Sequence, residues 1–145
     1  MIGFPNDRSE LRRTFVTTWN RRRTHAPLEP LESLIAGVIE DHPEYHALLD
    51  DNELEREYSS GIDSHNPFLH MAMHIAIREQ AAADRPPGVR RIRDRLIERT
   101  GSTVDAEHAM LDCLENALWN AQQTHAPPDE FVYLACLKRL VNGDG

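Results

Sequence analysis

The chain has 145 residues, 40% of them hydrophobic, a length that suits one domain around a single continuous core and leaves no room for a second. Its 24 acidic residues outnumber 16 lysines and arginines for a net charge of -8, which works against broad contact with nucleic acid or an anionic membrane surface. No apolar run approaches the ~20 residues needed to cross a bilayer, and MIGFPNDRSELRR turns polar too early for a secretory leader, so a cytoplasmic protein with no membrane partner is expected.

Only Lys138 among the cations is a lysine. The arginine bias suits persistent ion pairs on helices. Cys113 and Cys136 are distant in sequence, lie in apolar helical patterns and form no C-x-x-C, so both are expected as reduced, buried thiols.

Taken in order, the punctuation predicts about seven helices. Asn6 or Asp7 can cap the first, whose stripe of Leu11, Phe15, Val16 and Trp19 ends near Arg23, before His25-Ala26-Pro27. The second runs from about Leu28 to Asp41 with Leu31, Leu34, Ile35, Val38 and Ile39 on one side. Pro43 ends it, because the residue before a proline is pushed out of the helical region, and the same proline can start a third helix. His42 is then a hinge or cap, and His46 lies one turn inside the next helix with Tyr45, Leu48 and Leu49, ahead of the acidic stretch DDNELEREYSSG.

A loop with Gly61, Asp63 and His65 leads to Asn66-Pro67, a cap and first-turn pair for a fourth helix ending near Ala83. Between Phe68 and Ile77 its only polar residues are His70 and His74, so it is expected at the centre of the core. Asp84-Arg85-Pro86-Pro87-Gly88 breaks the chain, and RRIRDRLIER forms a charged fifth helix stopped by Gly101. Ser102 or Thr103 caps a long sixth helix carrying Met110, Leu111, Leu114, Leu118 and Trp119. After Pro127-Pro128, Asp129 opens the last, with Phe131, Leu134, Leu137 and Val141. Strand signals are nearly absent. The expected fold is an all-α, single-domain helical bundle spanning residues 1–145.

One pattern occurs twice. Trp19-Asn20 precedes Thr24-His25-Ala26-Pro27, and Trp119-Asn120 precedes Thr124-His125-Ala126-Pro127, at the same offset. Each copy ends one helix and introduces another, as the turns of two αα-hairpins would, although the flanking residues align poorly. As turn residues, His25 and His125 are not ligands.

The histidines carry the chemistry. His42 with His46 and His70 with His74 are i, i+4 pairs, and imidazoles one helical turn apart project from one face, so each pair can converge on an ion. A buried polar ring must be satisfied, and two in the most apolar segment are costly for packing alone. His108, expected to face the core with Leu111 and Leu118, is a fifth candidate. Asp50, Asp112 and Glu115 are candidate carboxylates near these positions. Such a set suits zinc, iron, nickel or manganese better than magnesium or calcium, and zinc or iron is the expected cofactor. Three imidazoles with an open position allow Lewis-acid or water-activating chemistry. The competing reading is a metal-free structural or protein-interaction module, a homodimer for instance, whose histidines brace a buried polar network.

Familiar enzyme templates fail. There is no H-E-x-x-H, no E-x-x-H of the di-iron bundles, the nearest approach being Asp105-Ala106-Glu107-His108, and no Walker, Rossmann or G-x-S-x-G signature. No catalytic residue, substrate or reaction follows. Arg90, Arg91, Arg93, Arg95 and Arg99 could meet phosphates, but Asp94 and Glu98 interleave them. A solvated helix held by i, i+4 ion pairs, or one docked on an acidic partner, is therefore expected.

HPEYH, GIDSHNPFLHMAMHIAIREQ followed by DRPPG, and EHAMLDCLENALWNAQ together resemble the proteobacterial domain-of-unknown-function family 1841 over almost the whole chain. The resemblance implies no activity. It places His42, His46, His70, His74, Glu79, His108 and Trp119 inside motifs similar to those of the family.

Overall fold

The computed structural model describes residues 8–50 and 67–142, the side chains of Arg8, Ser9 and Asp50 apart. The described residues form seven α-helices and one 3-10 turn, with no strand among them. The fold is all-α, as the periodicity predicts. The chain divides into two compact units, Met1–Ile75 and Ala76–Gly145. The expected caps at Asn6, Asp7 and Asn66, the acidic stretch and the loop with Gly61, Asp63 and His65 lie outside the described residues.

The first unit contains α1 (Arg8–Arg23), α2 (Pro30–Glu40), a 3-10 turn (Pro43–Tyr45), α3 (His46–Asp50) and the first half of α4 (Pro67–Ala83). Helix α2 starts two residues later than its apolar pattern suggests. Pro30 occupies its first turn, where a missing N–H costs nothing, and Glu29 and Glu32 form a reciprocal capping box ahead of it. Phe15 and Trp19 from α1, Ile35, Val38 and Ile39 from α2, Leu49 from α3, and Phe68, Met71 and Ile75 from α4 make one buried cluster. Each large side chain hidden in this way contributes about 1.5–3 kcal/mol. The ring centroids of Phe15 and Phe68 are 5.9 Å apart, which fixes the start of α4 against α1.

The second unit contains the rest of α4, then α5 (Val89–Thr100), α6 (Thr103–Thr124) and α7 (Glu130–Asn142). Its starts and stops follow the predicted punctuation. Ser102 Oγ accepts from the Asp105 N–H, Gly101 ends α5 at φ +74°, and Asp129 Oδ1 accepts from the N–H groups of Phe131 and Val132. Asp84 Oδ1 accepts from the N–H groups of Gly88 and Arg90, tying the turn to the start of α5.

The arginines of α5 are used differently from the expected surface pairs. Arg90 donates from Nε and Nη2 to the carbonyls of Ala81 and Ala82, and Arg99 donates to those of Leu140 and Val141. Both guanidinium groups thereby satisfy carbonyls that the ends of α4 and α7 leave without helical partners. Arg93 instead meets Glu107 of α6, which is fully buried and also receives Arg78 of α4.

Two expectations need correction here. Cys113 and Cys136 are not separate reduced thiols: they are joined in a disulfide, with their Cα atoms 5.7 Å apart. The α6–α7 hairpin folds the intervening segment back on itself, so sequence distance hid their proximity. Trp119 and Phe131 were expected in apolar stripes, yet they are 56% and 88% exposed. Helix α6 has 22 residues against 12 in α5, so its last turns run beyond the helix that covers its first half.

The repeated pattern has a common structure. His25 and His125 both adopt left-handed backbone, at φ 60° and 53°. The Ala26 N–H bonds the Arg21 carbonyl at 2.9 Å and the Ala126 N–H bonds that of Ala121 at 3.1 Å. Thr24 and Thr124 donate back to the carbonyls of Asn20 and Asn120. Each copy is a helix stop with histidine where glycine is usual, placed in the turn of a helical hairpin.

Candidate metal centre

The end of α2 shows why DHPEYH differs from an ordinary i, i+4 pair. Helix α2 finishes at Glu40, and carbonyls of its last turns have lone pairs left to accept from side chains. His42 has non-helical backbone, φ −125° and ψ 64°, as the residue before Pro43 must. Its ring turns back so that Nδ1–H donates to the Val38 carbonyl at 2.8 Å. His46 reaches the same helix end, Nε2–H donating to the Ile39 carbonyl at 2.8 Å, while its ring lies against Trp19 with centroids 4.6 Å apart. The break at Pro43 separates the two rings, and His46 stands outside the group of converging donors, contrary to its expected place.

His42 is 1% exposed. With Nδ1 protonated and committed to a carbonyl, Nε2 is the nitrogen that carries the lone pair, the arrangement by which proteins fix the tautomer of a ligating imidazole. The centroid of its ring is 4.6 Å from that of His74 and 5.3 Å from that of His70.

His70 and His74 do occupy one face of a continuous helix. Their Nε2 atoms are 3.2 Å apart, His74 fully buried and His70 partly so. One ring nitrogen from each of His42, His70 and His74 lies within 4.8 Å of the others, so this cluster can hold a metal ion. Tyr45 borders it: its ring is parallel to that of His42 at 5.7 Å and edge-on to that of His70 at 6.3 Å. Burial, assisted by the nearby Glu44 carboxylate, raises the Tyr45 pKa, so its phenol is a neutral O–H donor at pH 7.

His108 lies in α6 of the second unit and is exposed, where the sequence pattern placed it in the core. Asp112 is exposed and Glu115 half-buried on the same helix. Burial, followed by repulsion from Asp112, raises the Glu115 carboxyl pKa. The side chain of Asp50 lies outside the described residues. No carboxylate belongs to the group of converging donors among the described residues.

Sequence reasoning missed two features. Glu107, named there only as part of an incomplete di-iron motif, is the buried carboxylate that receives Arg78 and Arg93. No short spacing marks it, since its partners Arg78 and Arg93 lie on two other helices. Tyr45 was placed on the third helix with no role, and its ring contacts set it beside the histidines.

An all-helical chain with a histidine cluster at the junction of α2, the 3-10 turn and α4 is the class defined by these features. The chain belongs to the family of the domain of unknown function DUF1841, whose model matches residues 7–139. No curated protein and no solved structure matches the chain.

Proposed function

We propose that the protein is a cytoplasmic metalloprotein in which His42, His70 and His74 hold a zinc or ferrous ion. The observation that carries this reading is the 3.2 Å separation of the His70 and His74 Nε2 atoms. Two nitrogens bound to one ion at ~2.0–2.1 Å and at tetrahedral angles stand roughly 3.3–3.4 Å apart, so the pair is already spaced as ligands are. Support comes also from the Nδ1–H of His42, which leaves the other nitrogen as the donor. The choice of ion follows from the imidazole donors, since magnesium and calcium prefer oxygen. A bound ion supplies Lewis-acid chemistry at any position the imidazoles leave open.

A second reading is favoured by one observation, that 3.2 Å also suits a hydrogen bond between two neutral imidazoles. The histidines then brace a metal-free core, and the exposed Trp119, Phe131 and Val132 become a contact surface for a protein partner. Thermal melts of untagged protein separate the two. Metal at about a hundred times Kd adds ~2.7 kcal/mol to the folded state, a rise in Tm of roughly 10 °C at this chain length. Wild-type protein whose melting neither falls with chelator nor rises with zinc or ferrous ion, and which carries no metal by elemental analysis, would show the metal reading to be wrong.

A further inference from the structure

We infer that the histidine centre takes a small oxyanion, a carboxylate or an inorganic oxyanion, with one oxygen on the bound ion and another accepting a hydrogen bond from the Tyr45 hydroxyl. This inference rests on the metal reading above.

Charge is the first ground. Every converging donor among the described residues is an imidazole, and imidazoles bind metals in their neutral form. A divalent ion held by them keeps its full double charge. In surroundings as buried as those of His42 and His74, that charge is costly unless an anion accompanies it. A carboxylate side chain would ordinarily serve, and none joins the group among the described residues, so an anion from solution is the compensating charge that we infer.

Access is the second. His42 and His74 are closed off from solvent, whereas His70 is partly exposed and so is Tyr45. An incoming ligand therefore meets the centre on the side that these two residues share.

The third is Tyr45 itself. Its ring touches both His42 and His70, the first face-parallel and the second edge-on, so the side chain is held by the cluster that it borders. No hydrogen-bond partner of its hydroxyl occurs among the described residues. A phenol beside a cation site, fixed by packing and with no hydrogen-bond partner among the described residues, is equipped to orient an anion that the ion attracts. Tyr45 is thus a positioning residue for that ligand.

The test uses the full chain loaded with cobalt(II), which reports its coordination in the visible spectrum, titrated with acetate as the probe. Acetate is expected to shift the cobalt bands saturably in the wild type. Tyr45→Phe keeps the ring packing and removes the hydroxyl. It is expected to bind cobalt with unchanged affinity and to weaken acetate by about tenfold or more, the usual worth of a hydrogen bond to a charged group. A wild-type spectrum that acetate leaves unmoved would overturn the inference, whatever becomes of the variant. Equal acetate affinity in the two chains would overturn the role of Tyr45, as would loss of cobalt from Tyr45→Phe, which would make the phenol a ligand. Failure of the wild type to bind cobalt at all would instead sink the metal reading beneath it.

Discussion

The Nε2 atoms of His70 and His74 face each other at 3.2 Å from successive turns of α4. His46, which the sequence pairs just as readily with His42, turns its Nε2 onto the Ile39 carbonyl instead. The difference lies in backbone continuity. Residues four apart share a face only where the helix between them is unbroken, and Pro43 interrupts one pair while nothing interrupts the other.

These placements give opposite expectations for two alanine substitutions. His74→Ala removes a fully buried donor and is expected to lower metal affinity by more than about a hundredfold, beyond the range seen when only outer partners of a ligand are lost. His46→Ala is expected to leave metal affinity within a fewfold of wild type while lowering stability, through lost packing on Trp19 and the loss of one of the two hydrogen bonds to the Ile39 carbonyl, which keeps the His42 N–H. Zinc affinity by competition with a chromophoric chelator, measured beside urea unfolding, checks both. Equal losses of metal in the two variants would contradict the assignment of His46.

In the second unit Glu107 is buried with Arg78 Nε at 3.0 Å and Arg93 Nη2 at 2.9 Å. Removing the shared anion leaves two guanidinium groups facing each other without it. Glu107→Ala is expected to cost about 3–5 kcal/mol, the range for breaking a buried charge set by deleting one partner. Arg93→Ala should cost less, since Glu107 keeps Arg78. The comparison is made by urea denaturation. Similar small losses in the two variants would show that the carboxylate is not the centre of the network.

How much of this was legible in the sequence follows from where the information resides. Helix starts and stops are set by a few local residues, and Ser102, Gly101 and Asp129 perform their expected capping roles. The α4 histidine pair is equally local. The disulfide, the Glu107 network and the exposure of Trp119 depend on which helices lie side by side and how far each extends, and no short spacing encodes that. Arg90 and Arg99 read as surface charges because sequence counts charge, whereas their guanidinium groups act as caps for the ends of α4 and α7. Tyr45 and His42 fall between these cases. Pro43 announces a break, but which way the neighbouring rings turn depends on the carbonyls that the break exposes.

The disulfide closes a segment of 23 residues between α6 and α7. In the chain-entropy picture a loop of that size is worth ~3 kcal/mol. Melting in the presence of a dithiol reductant, or in the Cys113→Ser Cys136→Ser variant, is expected to fall by about 10 °C from the oxidised wild type. Disulfides are rare in reducing cytosol, so the proposed location further requires that protein lysed under thiol-trapping conditions contain a substantial reduced fraction. A bond found fully formed in thiol-trapped whole cells would argue against the proposed cytoplasmic location.

Tyr133 lies buried on α7 and donates its hydroxyl to Gln80 Oε1 of α4 at 2.6 Å. Burial drives its pKa far above the ordinary phenol value, so the folded chain keeps the proton at alkaline pH values where the unfolded chain has lost it. The sign then follows from linkage. Above ~10, the unfolded pKa, the unfolded state binds fewer protons than the folded one, and the contribution of Tyr133 to stability declines as pH rises. Below that value the neutral phenol is common to both states, and this source of pH dependence vanishes. Unfolding free energy measured between pH 8 and 11.5 should therefore bend downward near pH 10. Tyr133→Phe should lose about 1 kcal/mol at pH 8, from the missing hydrogen bond and the Gln80 amide left behind, and should fall less steeply above pH 10. An alkaline decline of the same slope in both chains would mean that other groups carry it and that Tyr133 ionises without unfolding.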